Sequence, residues 1–284
     1  MQHVVVITGA ASGIGKGIAK KMANGYSLVL VDVNSISLNA VAEEIRNEGA
    51  VVSVVVGDVS LRETHKKSVA EVSKIGTLTG WVNCAGIGGV FPLHALPENQ
   101  KDVMKVLEVN QIGTLWGCAE AVKSFTDSKV NGSIVNISSI HGRRAYLDHA
   151  VYEMTKAAID ALSRNVAAVY GPYGIRANSV APGAGMSEAM EQSFVDAPDP
   201  LGRRQFLEIT TPLKRIALTS EIAEVVEFLI SPRSSYLTGQ SICVDGGWSA
   251  SLGVSELDQE LALKYGLNEK LDYQTRMIDS QAIY

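Results

Sequence analysis

Val4-Val5-Val6-Ile7-Thr8-Gly9-Ala10-Ala11-Ser12-Gly13-Ile14-Gly15 is the stretch that decides how the rest of the chain is read. The unbroken apolar run Val4 to Ile7 is what a strand buried on both faces requires. A glycine-rich turn follows it, and a helical pattern then continues to about Asn24-Gly25. Strand, turn and helix N-terminus together form a phosphate site. Glycines let the backbone approach the anion, and the free N–H groups and dipole of the helix hold it. The spacing is Gly-x-x-x-Gly-x-Gly, not the commoner Gly-x-Gly-x-x-Gly, and Gly9, Ser12, Gly13, Ile14 and Gly15 are its candidate anion contacts.

The next apolar run, Ser27 to Val31, ends on Asp32. An acidic residue there accepts hydrogen bonds from an adenosine ribose and repels a 2′-phosphate. A helix N-cap is the competing use of Asp after a strand. With the glycine turn ahead of it, the ribose reading is favoured, and NAD over NADP with it. Val33-Asn34-Ser35 brings no cation to hold a phosphate.

The alternation repeats. Helical patterns cover about Ser37–Glu48, Arg62–Lys74, Pro97–Phe125 and the stretch ending near Tyr170. Strand-like runs cover Val51–Val56, Leu78–Val82, Ser133–Ile137, Arg176–Val180 and Ser241–Val244. This pattern predicts one α/β domain, a Rossmann-type doubly wound parallel sheet of about seven strands with helices on both faces, over residues 1–248. Met186 to Thr211 breaks the rhythm with prolines and with Met186, Met190, Phe194 and Phe206. A partly helical segment there lies over the carboxyl ends of the strands, so 186–211 is expected to act as a substrate lid. Residues 249–284 form a polar C-terminal extension with Leu257, Leu261 and Tyr265 roughly on one helical face.

Composition narrows the function. Over 284 residues, 46% hydrophobic and 19% charged content is that of a folded globular protein. The net charge of −5 has no basic block behind it, which argues against nucleic acid or anionic membrane as a partner. No apolar run reaches the length of a membrane span, and Met1 leads almost directly into a strand. Cys84, Cys118 and Cys243 are scattered, without a CxxC pair, so no metal site is expected and the cytoplasm is the default location.

Tyr152 and Lys156 are one helical turn apart on one face. An ammonium beside a phenol favours the phenolate, and such a Tyr can pass a proton to or from a substrate oxygen. Ser139, at the end of a strand-like run upstream, can hydrogen-bond the same oxygen.

These motifs, in this order, resemble the short-chain dehydrogenase/reductase family. The pieces are Thr8-Gly9-x-x-x-Gly13-x-Gly15, Asp58, Asn83-x-Ala85-Gly86, Asn110, Ser139, Tyr152-x-x-x-Lys156, Pro182-Gly183 and Val244-Asp245-Gly246-Gly247. The resemblance implies a nicotinamide cofactor and hydride transfer at a substrate carbon. Tyr152 would be the general acid/base and Lys156 would bind the nicotinamide ribose. Ser139 would hold the substrate oxygen, and Asn110 would keep a proton-relaying water in place. Asp58 and Val59 would flank the adenine, while Asn83, Ala85, Gly86, Pro182 and Gly183 would line the cofactor. The chain departs from the family at Ala184-Gly185-Met186-Ser187, where Ser187 takes the place of the usual Thr.

Positions between Ser139 and Tyr152 wall the substrate pocket in this family, which makes His141 and His149 candidates, with Met186 from the lid. Arg143 and Arg144 face either the pocket or a subunit contact. A polar, hydroxylated substrate (sugar, polyol or hydroxy acid) oxidised with NAD is the leading expectation. The alternatives are an NADH-dependent reductase of a ring ketone and a non-catalytic dinucleotide-binding protein. A homotetramer is expected, because family members assemble through the helices that precede and carry the active site.

Overall fold

The computed structural model describes residues 2–251 together with Lys264. β1 (His3–Thr8) leads into α1 (Gly13–Met22), β2 (Ser27–Asp32) into α2 (Ser35–Asn47), and β3 (Val52–Val56) into α3 (Arg62–Ile75). β4 (Thr77–Asn83) is followed by α4 (Gln100–Leu107) and α5 (Gly113–Ser128). Then come β5 (Gly132–Ile137), α6 (Ala150–Tyr170) and β6 (Ile175–Pro182). The chain continues through β7 (Gly185–Met186), α7 (Glu188–Val195), α8 (Pro200–Thr210), β8 (Ala217–Leu218), α9 (Thr219–Ile230) and β9 (Ser241–Val244).

Period-two alternation of side chains turns the apolar strands into a sheet that must be covered twice. Val5, Ile7, Leu28 and Leu30 point to one face and meet Ile18 and Met22 of α1, Leu38 and Ile45 of α2, and Ile222, Val226 and Leu229 of α9. Val4, Val6, Val29 and Val31 point to the other and meet Val72 of α3, Phe125 of α5 and Val166 of α6. Trp81 and Phe125, 0% and 1% exposed, anchor this second layer, and cutting either to Ala costs about 3–5 kcal/mol.

Seven strands form one parallel sheet in the order β3-β2-β1-β4-β5-β6-β9, and β7 and β8 pair apart from it. From β1 the chain first builds outward through β2 and β3, then crosses back to lay down β4, β5, β6 and β9. That reversal between β1 and β4 opens a crevice at the carboxyl ends of the strands. It is the reason a site exists here.

Two stretches differ from the sequence expectation. Pro97–Phe125 is not one helix. Two short 3₁₀ turns precede α4, and a π-helical turn, Glu108–Ile112, joins α4 to α5. The extra residue of a π turn rotates the side chains around it, and Asn110 sits in this one. The 186–211 segment is built of two helices, with Ser187 and Asp199 capping α7 and α8 by accepting the Met190 and Gly202 amides. The expected apolar face of Leu257, Leu261 and Tyr265 lies outside the described residues. Among the described residues no helix is long and apolar enough to cross a membrane.

Candidate active site

A cavity of about 710 Å³ runs across the crevice, from the glycine turn, Asp32 and Asp58 at one end to Ser139, His141, Tyr146, His149, Tyr152 and Trp248 at the other. The first end is built from backbone. Gly9 has φ +70°, and a Cβ there would lie 2.7 Å from Ala85 Cα; a Cβ on Gly15 would lie 2.0 Å from the Gly9 carbonyl oxygen. No larger residue allows the β1–α1 turn to close against β4. Thr8 Oγ1 accepts from the Cys84 and Ala85 amides at 3.0 and 3.1 Å, pinning the end of β4 to the turn.

Asp32 ends β2 with its carboxylate held in place. Oδ2 accepts from the Ala11 amide at 3.1 Å and Oδ1 from the Asn34 amide at 2.9 Å. A carboxylate has about four acceptor sites, so capacity remains on both oxygens. Burial acts to raise Asp58, but hydrogen bonds from Lys105 (2.7 Å) and Ser60 outweigh it and hold the carboxyl below its ordinary range. Burial pushes the Cys84 thiol up to about 12, so this cavity-lining sulfur is a packing group, not a nucleophile. The glycine cradle, the N-terminus of α1 and the carboxylate at the end of β2 fit a dinucleotide. Among the described residues no cluster of three or more His, Cys, Asp or Glu could hold a metal ion.

The second end is built from side chains. α6 carries Tyr152 and Lys156 on one face, as their spacing predicts. Lys156, 4% exposed, donates from Nζ to the Ile137 carbonyl at 2.9 Å, with Nζ 5.4 Å from the Tyr152 ring centroid. Ser139 Oγ accepts from the His141 amide at 3.2 Å, which leaves its own O–H free to donate into the cavity. Five rings close this end. His141 stacks on Tyr146 (5.0 Å, 19°) and stands edge-on to His149 (5.7 Å) and Tyr152 (6.0 Å), while Trp248 meets Tyr146 at 6.4 Å. Burial lowers the basicity of His141, and the neighbouring His149 lowers it further, against an opposing pull from Glu153.

Three sequence candidates sit away from the cavity wall. The Asn83 side chain points into the core, accepting from Trp81 Nε1 and donating to Asn136 Oδ1, both at 2.8 Å. Asn110, 0% exposed, gives its side chain to the Ile87 amide (2.9 Å) and carbonyl (3.0 Å) and to Thr155 Oγ1 (3.1 Å). Its carbonyl accepts from Thr114 Oγ1. Met186 pairs with Leu218 in β7–β8, and its neighbours Ser187 and Met190 line the cavity instead. Arg143 reaches Asp160 and the Ser241 carbonyl, and Arg144 the Ser249 carbonyl, so neither faces the cavity. Gly9, Ser12, Gly13, Ile14, Gly15, Val59, Ala85, Gly86, Pro182 and Gly183 all line it.

Residues that the sequence reading did not select also line the site: Tyr146, Trp248, Arg203 and Lys105. Trp248 follows the Asp245-Gly246-Gly247 motif, but only the pairing of β9 with β6 brings it to the rings. Nothing along the chain marks Arg203, an exposed position on α8. Glu188 of α7 accepts from the Gly13 amide at 2.7 Å and meets Lys16 Nζ at 3.4 Å.

A family model described as Enoyl-(Acyl carrier protein) reductase matches residues 9–249. The chain belongs to the short-chain dehydrogenase/reductase family. Among its short-chain relatives it is 33% identical over 255 residues to the diacetyl reductase ((S)-acetoin forming) of Staphylococcus epidermidis, covering 87% of this chain and 98% of that one. It is 34% identical over 257 residues to the levodione reductase of Leifsonia aquatica, covering 88% and 95%. A crystal structure of levodione reductase superimposes with a TM-score of 0.82 at 32% identity, over 88% of this chain and 98% of the other. A gluconate 5-dehydrogenase from Burkholderia cenocepacia, in complex with NADP and tartrate, superimposes with a TM-score of 0.80 at 28% identity, over 88% of this chain and 96% of the other.

Proposed function

We propose that this oxidoreductase uses NAD to interconvert a secondary alcohol and a ketone on a small, polar, hydroxylated substrate such as a sugar, polyol or hydroxy acid. The observation that carries the reading is the convergence of Tyr152, Lys156 and Ser139 at one end of a cleft whose other end carries Asp32. The nicotinamide, when bound, supplies the hydride donor or acceptor. Tyr152 holds or moves a proton at the substrate oxygen, and the free O–H of Ser139 donates to that same oxygen. Lys156 is the fixed cation beside Tyr152 and would hold the nicotinamide ribose when the cofactor is bound. Asn110 is a positioning residue: by holding both backbone groups of Ile87 it fixes the end of the β4 loop beside Lys156.

Asp32 supports NAD, since its carboxylate accepts from ribose hydroxyls and repels a 2′-phosphate. The relatives named for diacetyl and levodione favour a second reading, reduction of a ketone, and the flat walls of His141, Tyr146 and Trp248 suit a ring. Self-association to a tetramer is supported by exposed Met104 on α4, Leu115 on α5, and Met154 and Val169 on α6. The free thiols of Cys84, Cys118 and Cys243 suit a reducing compartment such as the cytoplasm. The deciding experiment is a fluorescence titration with NADH and NADPH, followed by turnover of polyols, sugars, hydroxy acids and cyclic alcohols with NAD. Tighter NADH binding and turnover of a polyol or hydroxy acid are expected. Tighter NADPH binding would overturn the cofactor assignment, and turnover of cyclic alcohols alone would favour the second reading.

A further inference from the structure

Lys105 reaches across the cleft. It stands on α4, which follows β4, while Asp58 follows β3, and the sheet order puts those two strands on opposite sides of the β1–β4 crevice. Its Nζ lies 2.7 Å from Asp58 Oδ2, and both residues line the cavity. The other carboxylate oxygen is held as well, since Oδ1 accepts from the Ser60 amide at 2.9 Å and from Ser60 Oγ at 2.7 Å. The Gly57 amide donates to the Asp32 carbonyl at 2.9 Å, which ties the ends of β2 and β3 together and puts Asp58 one strand outward from Asp32. Val59 beside Asp58 and Val109, four residues beyond Lys105, also line the cavity, and a Cβ on Gly113 would lie 2.9 Å from Val59 Cγ2. This part of the cavity thus combines two valine side chains with one carboxylate and one ammonium, a lining that fits a flat heterocycle carrying an N–H donor.

A carboxylate has about four acceptor sites, and in Asp58 the two Ser60 bonds and the Lys105 bond leave one, on Oδ2. That is the oxygen Lys105 holds. We infer that Lys105 is a positioning residue for the base of the dinucleotide: by fixing Oδ2 it keeps the last acceptor site of Asp58 turned to an exocyclic amine, so that the protein prefers adenine to hypoxanthine. This rests on the dinucleotide reading, with the base lying outward of the ribose at Asp32. Adenine donates from its N6 amine. Hypoxanthine puts a carbonyl oxygen in the same place, so acceptor faces acceptor and both stay unpaired. The Lys105 and Asp58 side chains are 48% and 31% exposed, so water relieves part of that mismatch and the discrimination is moderate.

The test titrates the protein with NADH and with reduced nicotinamide hypoxanthine dinucleotide, read by fluorescence, and needs no substrate. Wild-type protein is expected to bind NADH about 10-fold more tightly. Lys105→Met keeps the apolar stem and removes the ammonium, and should lower that preference by about 3-fold. Lys105→Arg, which can still donate to Oδ2, should restore it. Asp58→Asn, whose amide can donate to the hypoxanthine carbonyl, should abolish it. Melting temperatures establish that each variant is folded. A cation that only attracts the cofactor phosphates, or only steadies the fold, would weaken both dinucleotides equally in Lys105→Met. That result, or equal binding of the two by the wild type, overturns the assignment while leaving the oxidoreductase reading intact. A preference that rises in Lys105→Met overturns it too, because the ammonium would then be serving the hypoxanthine carbonyl. A wild-type protein that binds neither dinucleotide overturns both readings.

Discussion

The two ends of the cleft are made of different material. The end at Asp32 is mostly backbone: glycine carbonyls, amides at the start of α1, and two carboxylates, Asp32 held by the Ala11 and Asn34 amides and Asp58 held by Lys105 and Ser60. The end at Tyr152 is side chains, with Ser139, His141, Tyr146, His149, Tyr152 and Trp248 converging from the β5–α6 loop, α6 and the segment after β9. Backbone geometry tolerates almost no substitution at its glycines. Side chains on a rigid α6 can be exchanged to change what is bound without moving the sheet. The difference teaches that cofactor choice is built into the fold and that substrate choice is mounted on it.

Five variants or conditions break or sharpen this contrast. Tyr152→Phe removes only a hydroxyl, so it should lower kcat by roughly 1000-fold while NADH affinity stays within about 2-fold, measured by steady-state kinetics and fluorescence. Gly15→Ala acts at the other end. Its Cβ would meet the Gly9 carbonyl oxygen at 2.0 Å, so the turn has to open, and NADH affinity should fall at least about 100-fold, with a lower melting temperature. If Gly15→Ala bound NADH normally, the backbone account of that end would be wrong.

Asp32→Asn keeps the shape and removes the charge. The ratio of NADPH to NADH affinity should rise about 10-fold, read by parallel titrations. Glu188→Gln weakens the tie between α7 and the Gly13 amide, and stopped-flow dissociation of NADH should accelerate about 3-fold, as befits a partly exposed ion pair. The smallest effect is on stability. Burial holds both His65 and His141 below the ordinary imidazole value of 6.5; the Val59 carbonyl opposes this at His65 and Glu153 opposes it at His141. The unfolded chain takes up these protons as pH falls through about 6.5, and the folded chain refuses them until lower pH. Stability is therefore whole above about pH 6.5 and declines below it. Melting temperatures at pH 7.5 and 5.5 should differ by a few degrees; a flat profile would contradict the burial of both rings in neutral form.

Much of the backbone end was legible along the chain. The run Val4–Ile7, the glycine spacing after it and Asp32 closing the next strand are local patterns, and local patterns follow from dihedral freedom and side-chain period. Tyr152 and Lys156 were legible for the same reason, since a helix places residues four apart on one face. Asn83 and Met186 fall outside the cavity lining because each sits at a strand, where adjacent residues face opposite ways. Asn83 turned to the core with Asn136, and Met186 turned from the wall that Ser187 joins. The break at Glu108–Ile112 had no signal in the apolar period, because a single extra residue in a helix shifts the phase only slightly.

From the sequence alone came the alternation of strand and helix, the glycine turn, the acidic end of β2 and the pairing of Tyr152 with Lys156 on one helical face. All depend on neighbours within a few residues. The tertiary structure alone decided that Trp248 returns to Tyr146, that Arg143 and Arg144 turn away from the cavity, that Glu188 clasps Gly13, and that His149 Nδ1 lies against the Leu147 carbonyl. Those facts depend on groups that lie far apart along the chain or on the course of an irregular loop, and no local period encodes either.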